Sequence, residues 1–316
     1  MLATIPDLTW RENVLLSEHT RFGIGGPARW YAETPDEESF IAALMQARSS
    51  GLPFVVIGGG TNLIVSDSGF PGVVLRFTGA SISRDGPVVT AEAGAELQNL
   101  VDFTIDESLA GIHTMTGIPG SVGAAVYGNA GAYGNSISKY VTRVRFFDGS
   151  GTRTLTNEDC RFAYRESIFK KRKDWIIFST SLALAPGDGS ELRARATEIR
   201  TIRDRKYPPT MKCAGSIFKN LLLRDLPAGV QAMLPEKVVI EGKVPSAWFL
   251  EQVGAKGTRR GGIHVADYHA NLIYNAGGGT ASELREVITD LKSRVRDRFG
   301  FGLEEEVQYV GFENAE

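Results

Sequence analysis

Two glycine clusters carry the first chemistry legible in this sequence. Residues 117–134 read Gly-Ile-Pro-Gly-Ser-Val-Gly-Ala-Ala-Val-Tyr-Gly-Asn-Ala-Gly-Ala-Tyr-Gly, six glycines without a charged residue, where the chain-wide frequency of 36 in 316 predicts about two. Such backbone exposes amide N–H groups and permits positive φ, which suits close approach by a phosphate or pyrophosphate; a tight turn packed under a core would use the same residues. Residues 55–65, Val-Val-Ile-Gly-Gly-Gly-Thr-Asn-Leu-Ile-Val, form the second cluster. There an apolar strand delivers an anion-binding nest and leaves as extended chain. Neither cluster has the ending of a Walker loop or the spacing and following helix of the dinucleotide fingerprint. The pair fits one long pyrophosphate cofactor better than two unrelated turns.

Fewer features point to side-chain chemistry. His19, His113, His264 and His269 are scattered without paired spacing, and Cys160 and Cys213 are two thiols without metal-ligand spacing, so no metal site is expected. Arg165, Ser216 and Glu306 stand as isolated polar residues in apolar or small-residue settings. Each also suits a satisfied hydrogen bond or a surface charge. Arg203 and Lys206, at the end of an arginine-rich helix, fit either cations at a helix C-terminus or a site for an anionic substrate.

The elements that must position these residues follow from periodicity and turn chemistry. A helix is expected from an N-cap at Thr34, with Pro35 and Glu37 in its first turn, Phe40, Ile41, Leu44 and Met45 on its buried face and Gly51 at its end. Strands follow at Pro53–Ile57 and Val73–Phe77, and a change of composition after Thr78 predicts a joint. The second part has a strand at Val88–Glu92, a helix over Ala95–Ser108, a hairpin of Val141–Phe147 and Thr152–Thr156, a strand at Trp175–Leu184 and a helix over Ser190–Lys206. In the third part Cys213–Asn220 reads as a small-residue turn. Helices at Pro245–Val253 and Ser282–Phe299 and strands at Asn271–Asn275 and Glu306–Val310 complete an α/β unit. The expected division is 1–80, 81–205 and 206–316, in an α+β chain.

Bulk properties narrow the classes further. With 35 Lys and Arg against 37 Asp and Glu the net charge is −2, which removes the electrostatic case for nucleic acid or an anionic membrane as principal partner. Met1–Trp10 lacks a basic region followed by an apolar core, and no apolar run approaches the length of a membrane span. A cytoplasmic protein is expected.

Thr20–Ala28, Gly58–Leu63, Gly117–Gly123, Gly131–Gly134, Tyr164–Ser167, Gly215–Asn220 and His269–Asn271, in that order, resemble the UDP-N-acetylenolpyruvoylglucosamine reductase family. The likeness runs from about residue 15 to 310. It implies a two-part FAD-binding domain of the vanillyl-alcohol-oxidase type plus a C-terminal α/β substrate domain. It also implies NADPH-dependent reduction of an enolpyruvyl ether in peptidoglycan precursor synthesis, with hydride passing from the flavin N5.

By this resemblance FAD contacts fall on Gly58, Gly59, Gly60, Thr61, Asn62, Leu63, Gly117, Ile118, Gly120, Ser121, Gly123, Ala124, Asn129 and Ala132. Tyr133, Lys206, Asn220 and Gln252 match substrate contacts. Arg165 and Glu306 match the residues that polarise the substrate carboxylate, and Ser216 the acid that protonates the neighbouring carbon. Only 51 positions separate Arg165 from Ser216, which predicts the short subclass without a tyrosine lid. FAD is expected to be noncovalent, since neither nest holds His or Cys and only His113 lies near, and the protein is expected to be a monomer. Gln308, Tyr268 and Leu221 depart from the family's usual Arg, Lys and Pro. The competing reading is another FAD oxidoreductase on the same scaffold, acting on a small alcohol or hydroxy acid.

Overall fold

The computed structural model describes residues 2–312, which form two compact units. Of the described residues the first comprises those up to 14, 28–60 and 71–208, and the second 15–27, 61–70 and those from 209 on. Two stretches of the N-terminal region therefore belong with the C-terminal part.

In the first unit a four-stranded sheet runs Arg11–Leu15, Pro27–Thr34, Phe70–Phe77, Phe54–Ile57, its last two strands parallel. Helix Glu37–Ser49 buries Phe40, Ala43, Leu44 and Ala47. Its cap is Asp36 rather than Thr34. The Asp36 carboxylate accepts the Ser39 N–H at 2.9 Å, while Thr34 Oγ1 accepts the Asp36 N–H at 3.1 Å and so caps the turn before the helix. Met45, expected inside, is 46% exposed. Small alanines, not methionine, complete the buried stripe.

A second sheet in this unit is antiparallel throughout, in the order Thr152–Thr156, Val141–Phe147, Ile176–Ala183, Val88–Glu92, Ile82–Asp85. The segment expected to be a joint after Thr78 is in part a hairpin strand, turned at Gly86 with φ +56°. Leu97, Leu100, Val101 and Ile105 of helix Leu97–Asp106 enter its core, as their spacing predicts, together with residues of Val122–Tyr127 and Gly189–Lys206. Phe40 and Phe77 meet Phe178 of this sheet edge to face, with centroids 5.1–5.8 Å apart.

The second unit is built on an antiparallel sheet ordered Lys212–Ser216, Leu272–Asn275, Ile263–Val265, Arg259–Arg260. Lys212–Ser216 is thus a strand, where a turn was expected through 213–220. A register shift between Cys213 and Ser216 accommodates Gly215 at φ +78°. Helix Ala281–Phe299 buries Leu284, Val287, Ile288, Leu291, Val295 and Phe299. Thr280 and Glu283 close a capping box, and Gly300 ends the helix at φ +76°. Strand Gln308–Val310 pairs in parallel with Leu63–Val65, the strand leaving the glycine cluster of residues 55–65. Asp67 then accepts the Ala281 and Ser282 N–H groups at 2.7 and 2.9 Å. Cys160 and Cys213 are both buried free thiols.

Candidate active site

In the first unit the two glycine clusters meet. A Cβ on Gly58, at the end of strand Phe54–Ile57, would lie 2.8 Å from Ser121 Oγ and 3.6 Å from Ala124 Cβ. Ser121 caps Val122–Tyr127 by accepting the Ala124 N–H at 3.3 Å. Glycine at 58 therefore keeps open a cradle that any side chain would fill, which is the fit a pyrophosphate requires. Gly60 and Gly117 add φ values of +65° and +72°, and Gly120 one of +117°. Other glycines of the set serve the fold. A Cβ on Gly123 would be 2.8 Å from that of Ala93, and one on Gly131 would be 2.3 Å from the Asn135 carbonyl oxygen. Gly59 is half-buried, as is Ile118, whose N–H is bonded to Met115. Ala132 pairs with Asn135 in a small hairpin, beside Tyr133 at φ +51°.

Arg165 lies in the same unit, in a tight turn closed by reciprocal bonds between Ala163 and Glu166 of 3.0 and 3.1 Å. Its φ is +58°, a left-handed conformation that a non-glycine residue holds only where its surroundings over-determine it. Asn129 is one such restraint. It is buried, its Nδ2 donates to the Ala163 carbonyl at 2.8 Å, and its Oδ1 accepts the Ser138 N–H at 3.3 Å. The Arg165 guanidinium donates to the Gly131 carbonyl at 3.2 Å and sits 5.3 Å from the Tyr164 ring centroid. Lys206, at the end of Gly189–Lys206, stands 5.1 Å from the centroid of the Tyr207 ring. His113 Nδ1 accepts the Gly111 N–H at 3.4 Å, and burial followed by the Arg195 charge holds its pKa below the ordinary value.

The second unit brings Ser216 and Glu306 together. Ser216 ends its strand opposite Leu272. The chain then pairs with 304–306: Lys219 N–H donates to the Glu304 carbonyl at 2.9 Å, and Glu306 N–H to the Ile217 carbonyl at 2.8 Å. Asn271, 2% exposed, clamps this segment through both functions of its amide, accepting the Phe218 N–H at 2.9 Å and donating to the Phe218 carbonyl at 2.8 Å. Asn62 supports the other side, with Nδ2 donating to the Glu306 carbonyl at 2.8 Å and its own carbonyl accepting the Gln308 N–H at 2.9 Å. Its neighbours Thr61 and Leu63 share this unit. Lys219 is buried and paired with Glu304, next to the exposed Asn220. Gln252 closes helix Ser246–Gln252, and its carbonyl accepts from Arg298. Asn271 was found in the sequence only as part of a motif. Its role as a clamp, and that of Asn62 behind Glu306, depend on registers no local signal encodes. Among the described residues no group of three or more His, Cys, Asp or Glu gathers as a metal site.

Comparison with known proteins agrees with this layout. Residues 207–310 match the model of the UDP-N-acetylenolpyruvoylglucosamine reductase C-terminal domain, and residues 29–156 match an FAD binding domain. The UDP-N-acetylenolpyruvoylglucosamine reductase of Solibacter usitatus is 61% identical over 98% of this chain and 99% of its own. That of Rubrobacter xylanophilus is 35% identical over 94% and 93%. The crystal structure of the Thermus caldophilus reductase superposes with a TM-score of 0.75 at 28% identity, covering 96% of this chain and all of that one. The fold is therefore α+β, an FAD-binding part followed by the C-terminal domain of the reductase family. With this identity along nearly its whole length, the chain belongs to the UDP-N-acetylenolpyruvoylglucosamine reductase family.

Proposed function

We infer that this chain is a flavoenzyme that reduces the enolpyruvyl ether of UDP-N-acetylenolpyruvoylglucosamine to the corresponding muramate, a step of peptidoglycan precursor synthesis, with FAD and NADPH as cofactors. The observation that supports this reading best is the pairing that sets Glu306 beside the Ser216 strand, in a chain related at full length to named reductases. The chemistry supplied by FAD, when bound, is hydride transfer between NADPH and the enolpyruvyl carbon.

The chain's residues supply the rest. Gly58, with Gly59, Gly60, Gly117, Gly120 and Ser121, offers the backbone cradle for the pyrophosphate. Arg165 has five guanidinium donors in a planar fork suited to a carboxylate, carried on a fixed turn. Glu306, protonated when it acts, donates a hydrogen bond to the substrate carboxylate, and with Arg165 it lets negative charge gather there as the vinyl carbon accepts hydride. Ser216 donates the proton to the neighbouring carbon. Tyr133, Lys206, Asn220 and Gln252 contact the sugar nucleotide. In this assignment residues 1–80 and 81–205 supply the two halves of the FAD-binding part and 206–316 the substrate part, with 15–27 and 61–70 of the first half belonging to the C-terminal unit.

The short, lid-less subclass is favoured by what fills the interval after Arg165: strand Ile176–Ala183, helix Gly189–Lys206 and strand Lys212–Ser216 leave little chain for an extra segment. No helix among the described residues is long and apolar enough to cross a membrane. The reading places the enzyme in the cytoplasm as a monomer. Anaerobic titration tests the function. NADPH should bleach the flavin band of the purified holoprotein, and the enolpyruvyl sugar nucleotide should restore it without oxygen. Restoration by oxygen alone, with bleaching by a small alcohol, would instead identify an oxidase on this scaffold.

A further inference from the structure

Glu305 is not one of the residues assigned to the reaction, yet it is the most elaborately held carboxylate near Glu306. Its side chain is only 15% exposed. Lys292, on helix Ala281–Phe299, places Nζ 2.7 Å from Glu305 Oε1, and the Tyr309 hydroxyl donates to Oε2. Arg285 of the same helix stands 5.7 Å from the centroid of the Tyr309 ring. Burial, then the hydrogen bond to Glu305, push the Tyr309 hydroxyl above its ordinary pKa, so it remains a donor.

The backbone around Glu305 explains why such an anchor is needed. Residues 304–306 are joined to 217–219 by the Lys219-to-Glu304 and Glu306-to-Ile217 bonds around a single isolated bridge between Phe218 and Glu305, without a continued ladder. In that pattern Phe218 and Glu305 form the non-hydrogen-bonded pair, so their own N–H groups add nothing to the register. A one-residue slip would turn every side chain to the opposite face. Successive side chains of an extended segment alternate in direction, so pinning Glu305 toward helix Ala281–Phe299 fixes Glu304 and Glu306 on the other face. There Glu304 pairs with Lys219.

We propose that Glu305, tied to Lys292 and Tyr309, is a positioning residue that holds Glu306 in the register required for reduction of the enolpyruvyl substrate. An ion pair at an exposed site would contribute little to stability. Here its effect is geometric, because displacement of a polarising group costs rate out of proportion to the energy of the tie. The proposal rests on the assignment of Glu306 to the substrate carboxylate.

The test is a double-mutant cycle on the holoenzyme, with flavin reduction by NADPH and flavin reoxidation by the enolpyruvyl sugar nucleotide followed separately by stopped flow. Glu305→Gln should leave reduction within about twofold and slow reoxidation by about tenfold. Lys292→Met, which keeps the carboxylate and removes only its cation, should do the same in milder form and guards against misfolding of the first variant. In a Glu306→Gln background, Glu305→Gln should slow reoxidation by no more than about twofold further, since the group it positions is gone. Equal losses in both half-reactions would make Glu305 merely structural. A full additional loss in the Glu306→Gln background, or wild-type reoxidation in both Glu305→Gln and Lys292→Met, would likewise overturn the proposal. If Glu306→Gln alone reoxidises at the wild-type rate, the assignment of Glu306 fails and the proposal falls with it. A slow Glu306→Gln with an additive Glu305→Gln overturns the positioning role alone.

Discussion

The glycine region of the first unit and the Ser216–Glu306 region of the second reach functional geometry by opposite routes. In the first, composition concentrates the signal within one short stretch, and the conformations the glycines adopt follow from the absence of Cβ. In the second, hardly any local signal exists. Glu306 meets Ile217, Asn271 meets Phe218 and Asn62 meets Glu306 across long sequence separations, and every one of these meetings is set by strand register. Composition shows where backbone is approached closely, while register decides which polar groups become neighbours.

The comparison breaks most easily at Asn271. Asn271→Ala leaves the Phe218 N–H and carbonyl without their partner in a buried setting, so stability should fall by about 3 kcal/mol in denaturant unfolding. Flavin reoxidation should slow more than flavin reduction. An effect below about 1 kcal/mol would mean that the clamp does not set the register.

Within the glycine region the two roles separate by substitution. Gly131→Ala drives a Cβ into the Asn135 carbonyl and should lower stability by about 2 kcal/mol. Gly58→Ala crowds only Ser121 Oγ, its other neighbours lying at ordinary contact distance, so the apoprotein should lose less than about 1 kcal/mol, the worth of a cap. FAD affinity in Gly58→Ala should nevertheless fall by about tenfold or more, about 1.4 kcal/mol. Equal FAD affinity in Gly58→Ala and the wild type would remove Gly58 from the cradle. Gly215→Ala is smaller still: nothing lies within 4 Å of the added Cβ, so its cost is that of φ +78° alone, about 1 kcal/mol.

A pH scan gives the smallest expected effect. His113 keeps a lowered pKa in the folded state, so the unfolded chain takes up its proton first, near the ordinary value of 6.5. Stability contributed by neutral His113 is present above that value and is lost as pH falls from about 6.5 toward the folded pKa. Between pH 7.5 and 5.5 the decline in Tm should be shallower for His113→Gln than for wild type. Parallel curves would show that the site does not discriminate against the charged imidazole.

What was legible in the sequence follows the same division. Helix Ala281–Phe299 was read to within a residue, because its stripe and terminal glycine lie within one local window, while the capping box of Thr280 and Glu283 was not part of that reading. The first helix was read with its cap displaced, since Thr34 and Asp36 are both capping types and only the hydrogen bonds distinguish them. Met45 was placed inside because hydrophobicity outweighed size, whereas the tight face requires Ala43 and Ala47. The strand ending at Ser216 looked like a turn because its partner, Leu272–Asn275, is remote and Gly215 imitates a turn residue. The pairing of Leu63–Val65 with Gln308–Val310, which carries part of the N-terminal region into the second unit, leaves no trace in either segment alone.

The measurement that tests the central claim most directly is the Ser216→Ala variant in the two half-reactions. Reduction of FAD by NADPH requires no proton from this hydroxyl and should stay within about tenfold of wild type. Reoxidation by the enolpyruvyl sugar nucleotide should slow by at least roughly 10²-fold, the scale of a positioned general acid, and Ser216→Cys should recover part of that loss. A hydroxyl that only satisfies a hydrogen bond would cost about 1 kcal/mol of stability and affect both steps alike. Equal losses in the two traces would contradict the account and leave Arg165 and Glu306 without a proton source.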